Sequence, residues 1–123
     1  MAENYLADAK LEPGTVVIFG GDKEVSMTRL HEDNRVAGVV SENPAYLMNS
    51  EQEGANVTAI ALQGKTKVKV KGMVKKGQML VTSSHEGFAC GTSSPKVGSV
   101  IGKALEGKDT PGDGEIQVVV GRV

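Results

Sequence analysis

The residue types that could run a reaction gather in one short stretch. Ser83, Ser84, His85, Glu86 and, a little further on, Cys90 supply two hydroxyls, an imidazole, a carboxylate and a thiol, the parts of a nucleophile and its base. Neighbours in an extended segment point to opposite faces, however, and catalytic triads are assembled by geometry, not by adjacency along the chain. The stretch is broken by Gly87, Gly91 and Pro95, so it reads as a polar surface loop and no catalytic residue is assigned to it. With two histidines (His31 and His85) and one cysteine there is no CxxC pair, so no metal or cofactor is expected. Cys90 reads as a buried thiol; it has no partner for an intrachain disulfide, and a bridge between chains stays open. Glu32 and Asp33 read as solvated loop carboxylates. The glycines match neither a P-loop nor a Gly-rich turn between strand and helix, which leaves phosphate binding without support.

A second chemical feature is a row of lysines. Lys65, Lys67, Lys69 and Lys71 alternate with Thr66, Val68 and Val70, and Lys75 and Lys76 follow. Strand side chains change face at every residue, so this is a half-buried β-strand with one apolar face and one cationic face. Such a face could track a phosphate backbone. The chain has no tryptophan and no aromatic between Lys65 and Lys76, so bases would find no stacking platform. Lysines also keep strand edges from pairing with other copies, which is the reading preferred to nucleic-acid binding.

The elements that must carry these residues are strands. Runs rich in β-branched residues occur at 15–19, around 25–28, and at 36–41, 57–62, 65–71 and 78–82; a brief one lies near 88–90, and the last two are 99–105 and 115–120. Leu47 and Met48 follow a turn set by Pro44, and 1–11 reads as an N-terminal arm. Sixteen glycines and few aromatics describe many tight turns around a core of Val, Ile, Leu, Met and Ala. The expectation is an all-β fold, small and barrel-like or built of two sheets of short strands, in a single domain spanning 1–123. At that length a chain buries roughly two-thirds of its unfolded surface and needs no staple. No apolar run has the length of a membrane span, and Met1-Ala2-Glu3-Asn4-Tyr5 does not begin a basic-then-apolar leader, so the chain reads as soluble and not exported.

Two further patterns concern the halves of the chain. Residues 1–53 hold ten acidic and four basic side chains, and 54–123 hold five acidic and ten basic. Such an asymmetry favours contact between the halves, or of an acidic face on one copy with a basic face on the next. The halves also echo each other. Residues 13–18 resemble 76–81, residues 36–40 resemble 100–104, and residues 59–64 resemble 117–121, in the same order. This suggests an internal duplication into two similar β-units. Strands bounded by glycine also look alike by chance, and the sequence leaves both readings open.

Taken together, Ala2-Glu3-Asn4-Tyr5, Glu12-Pro13-Gly14-Thr15, Phe19-Gly20-Gly21, Arg35-Val36-Ala37-Gly38, Asn43-Pro44-Ala45-Tyr46 and the stretch 98–106 resemble the C-terminal β-rich domain of tail-fibre and related structural proteins of tailed bacteriophages, particularly those of marine hosts. The resemblance implies a virion structural module for assembly, oligomerisation or tip attachment. It also implies a homo-oligomer, with a trimer favoured, and other virion proteins as partners. A host-surface glycan or protein receptor is left as a further partner, with no residue to mark its site. The chain is more distantly similar to the C-terminal chaperone domains of phage tail spikes, which release themselves by autoproteolysis. Glu3 stands where that family has an Ala-Glu-Tyr-like segment near its cleavage region, and is read here as an exposed acid in the arm. An oligonucleotide-binding barrel is the third alternative.

Overall fold

The computed structural model describes residues 1–41, 47–48 and 56–121. The turn expected at 42–45, Tyr46 and most of the polar loop expected at 49–56 lie outside them. Among the described residues every regular element is a strand. The first half contributes β1 (Ala2–Leu6), β2 (Val16–Phe19), β3 (Val25–Met27), β4 (Val36–Val40), β5 (Leu47–Met48) and β6 (Val57–Ala61). The second contributes β7 (Gly64–Lys71), β8 (Met79–Thr82), β9 (Ala89–Thr92), β10 (Val100–Ala104) and β11 (Asp113–Val120). The fold is therefore all-β in two sheets, as composition and alternation indicate.

Strand order is β3-β2-β4-β6-β1-β5 in the first sheet, while β10-β11-β7-β9-β8 closes into a barrel. Removing β5, the two orders are the same ring, and the agreement extends to individual pairs. Val17 faces Gly38 as Leu80 faces Gly102, and Val40 faces Ile60 as Ala104 faces Val118. The parallel bridge that closes the barrel, Val70 to Ala89, recurs in the first half as Ala7 to Val25. Loop hydrogen bonds repeat too: Gly14 N donates to Val40 O at 2.9 Å and Gly77 N to Ala104 O at 2.8 Å. The three sequence echoes thus align in register, and the duplication is real at the level of backbone pairing.

The largest departure from the expectation is at the N-terminus. Residues 2–6 are not an arm but β1, paired antiparallel with β6 and parallel with β5. The alternation that puts Ala2 and Asn4 inside is too short and too polar to announce a strand; β6 supplies the partner that makes it one.

Each half has its own core. Ala7, Val17, Val25, Val40 and Ile60 form the first. The second gathers Val68, Val70, Leu80, Ile116 and Val118 together with Val16 and Val39 of the first half. Val16 and Val39 sit on the opposite pleat from Val17 and Val40, so the outer face of β2 and β4 is covered by the neighbouring half.

Candidate functional site

The loop 83–88 is held by its own hydroxyl. Ser83 Oγ is buried, accepts the His85 N–H at 3.1 Å and lies 2.7 Å from Phe88 O, to which it donates. Its hydroxyl is committed to locking the turn. Glu86 reaches across to Arg29 at 2.9 Å. His85 turns the other way: its Nε2 lies 3.0 Å from Asp113 Oδ2, and its ring packs on Phe88 with centroids 4.4 Å apart. Lys71 Nζ approaches the second oxygen of Asp113 at 3.5 Å. The hydrogen bond from His85, then the charges of His85 and Lys71, hold the Asp113 carboxyl below the usual aspartate range against the opposing effect of desolvation. The outcome is an ion-paired carboxylate on the barrel surface.

The structure brings Cys90 to His31, two residues that sequence spacing keeps 59 positions apart. Cys90 Sγ is 3.7 Å from His31 Nδ1, and His31 Nε2 is 3.4 Å from Glu32 Oε1. The order thiol, imidazole, carboxylate has the residue types of a cysteine hydrolase. The thiol is not activated, however: burial first and the Glu32 charge second push its pKa upward, whereas a thiol nucleophile needs its thiolate. Cys90 is half-buried, not fully buried as its residue type suggests. Among the described residues no three His, Cys, Asp or Glu side chains converge to hold a metal ion.

Asp33 also departs from the reading of a solvated carboxylate. Its side chain is 4% exposed and takes the Arg35 N–H at 2.9 Å, Nε at 3.1 Å and Nη2 at 2.9 Å. Those bonds to Arg35 lower its pKa, against desolvation. Glu32 is likewise engaged, accepting the Lys96 N–H at 3.0 Å from a backbone with φ of 53°.

The lysine row is broken by the fold. β7 pairs along its length with β11, which sets Asp113 opposite Lys71 and Glu115 opposite Lys69. Lys69 Nζ lies 3.7 Å from Glu12 and 5.8 Å above the Phe88 ring. Lys75 and Lys76 leave the row altogether. They join Lys103 around an open groove of about 540 Å³ floored by Gln78, Met79 and Thr92. Lys103 escaped the sequence reading because it stands alone inside an apolar strand; only its outward pleat reveals it. Glu3 lies on β1, half-buried, where it hydrogen-bonds the Tyr5 side chain. Burial, and next the Glu3 charge, raise the Tyr5 pKa. Tyr5 in turn meets Phe19 edge to face at 5.7 Å.

These features define a class by architecture: a tandem of two like β-units. No family model matches the chain, and no curated protein sequence matches it. Among solved structures, the N base of head fibre gp8.5 in bacteriophage phi29 is similar, with a TM-score of 0.53 and 16% identity. That match covers 98% of this chain and 92% of the other, so the shared fold runs essentially end to end.

Proposed function

We propose that this chain is a structural module of a phage virion, part of the base of a fibre, and that it works by assembling with copies of itself and with other virion proteins. The observation that carries this reading is the end-to-end likeness to a head-fibre base, over 98% of one chain and 92% of the other. The motif resemblance to phage fibre domains supports it from the sequence. The two differ on the position of the fibre, since the motifs point to the C-terminal domain of a tail fibre and the fold to the base of a head fibre. We adopt the base, because a fold likeness of that extent leaves little of the chain for a separate tip. A trimer is the assembly we expect.

Release by self-cleavage is the weaker alternative. Glu3 is paired within a sheet and hydrogen-bonded to Tyr5, so freeing it to act would cost both arrangements. Gold-labelled antibody against this chain, applied to purified virions and viewed by electron microscopy, tests the main reading. Label at the root of a fibre is the expected result. Washed virions that lack the protein would overturn it.

A further inference from the structure

The contact between the two halves is not symmetric, and among the described residues that asymmetry leaves two faces without such a cover. The first half offers the outer face of β2 and β4, and the second receives it on β7 and the turn 83–88. Lys69 N donates to Gly14 O at 3.0 Å, Val16 N to Gly87 O at 2.9 Å, and Gly87 N to Thr28 O at 2.9 Å. Arg29 pairs with Glu86 at 2.9 Å, and Asp33 N donates to Thr82 Oγ1 at 2.7 Å.

By the register of the duplication, the offered face has a counterpart on the second half. Gly77, Met79, Thr92 and Lys103 stand where Gly14, Val16, Thr28 and Val39 stand on the first. Val16, Thr28 and Val39 are fully buried, whereas Met79 and Thr92 are partly open and Lys103 is exposed around the 540 Å³ groove. The receiving face has a counterpart on the first half. Leu6 and Phe19 stand where Lys69 and Thr82 stand, and the turn 20–24 replaces 83–88. Phe19 is 48% exposed there, a large aromatic met edge-on by Tyr5 and still half open.

We propose that a second copy of this chain fills both vacancies: the β8–β10 face of one copy docks on β1, Phe19 and the turn 20–24 of the next, repeating head to tail the contact its own halves make. Charge favours it. The offered face carries Lys75, Lys76 and Lys103, and the receiving turn carries Asp22 and Glu24 against one cation, Lys23. The apolar surface favours it too. The links 29–35 and 93–99 are equal in length, which sets Val97 at the position of Asp33. Val97 is 97% exposed, and its target changes in step, from Thr82 to Phe19. The links turn differently, with the left-handed residue at Glu32 in one and Gly98 in the other, so this last correspondence is one of position along the chain. In the free chain Glu24 Oε1 holds the Leu6 N–H at 2.8 Å. Docking exchanges that bond for Gly77 O and turns the carboxylate toward the lysines.

A heterologous contact closes into a ring or runs on as a chain. This inference rests on the homo-oligomer part of the reading above, and three copies in a ring would give the expected trimer. The full chain is examined by sedimentation equilibrium at low salt, over a concentration series. The native sequence should associate, and Val97→Asp and Lys103→Glu, both at exposed positions, should each weaken association about tenfold, on the order of 1.4 kcal/mol. Ser93→Arg supplies the counterpart of Arg29 and should tighten association, and adding Asp22→Lys should remove the gain. A trimer that Val97→Asp and Lys103→Glu leave unmoved overturns this contact while leaving the oligomer. A monomer at every concentration overturns both.

Discussion

Asp33 shows how a residue that reads as solvated becomes structural. Its carboxylate is closed over by the fold and answered by Arg35, whose guanidinium is half exposed. Because its pKa is lowered in the folded state, the pairing stabilises the protein above the ordinary aspartate pKa and is lost as pH falls through the lower, folded value. Asp33→Asn should therefore cost about 1 kcal/mol near neutrality, less than the roughly 1.5–3 kcal/mol of a buried charge-assisted bond because Arg35 is screened by water. The difference in melting temperature between native protein and variant should shrink below about pH 4, which a thermal melt series over pH would read. Cys90 illustrates the opposite limit. The nearby imidazole of His31 invites a catalytic reading, and desolvation, by holding the thiol protonated, withdraws it.

Among the elements, β4 and β10 carry the duplication most sharply, through Gly38 and Gly102. A methyl group at Gly38 would run into the carbonyl oxygen of Ala61, and one at Gly102 into that of Val119; both are backbone atoms of the strand alongside. The pairing with β2 and β8 shifts register beside each glycine, the mark of a bulge that lets the sheet curl into a barrel. Gly38→Ala and Gly102→Ala should each destabilise by about 3 kcal/mol or more, since neither clash is relieved by a side-chain rotation. Urea unfolding followed by circular dichroism checks this, and near-equal losses would also confirm that the two positions are equivalent. At the far end of the closed barrel the half-buried Lys108 gathers backbone carbonyls: its ammonium donates to Gly72 O at 2.8 Å, to Thr110 O at 2.6 Å and to Gly112 O. It ties the end of β7 to the loop before β11, so the longest pairing in the molecule does not fray.

For the whole molecule, Val16 and Val39 decide how the halves behave. They belong to the first half by sequence and to the second core by position, so neither half can open without exposing the other. Unfolding should then be a single transition, with circular dichroism and amide exchange reporting the same midpoint. Val16→Ala should lower that midpoint for both halves together, from a loss of roughly 1.5–3 kcal/mol in stability. Two separate transitions would show instead that the halves are independent.

Period-two alternation and the spacing of glycines determined the all-β class and most of the strands, because those signals are local and recur within a few residues, and they raised a duplication that only the strand pairing decided. They did not announce β1, whose short polar run becomes a strand only beside β6, nor the eight-residue reach of β11, which the partner strand β7 extends to Asp113. The meeting of His31 with Cys90, the neutralising of Lys69 and Lys71, and the gathering of Lys75, Lys76 and Lys103 were decided by tertiary structure alone. Each depends on which strands lie side by side, and a closed sheet sets that through pairings between residues far apart in the chain.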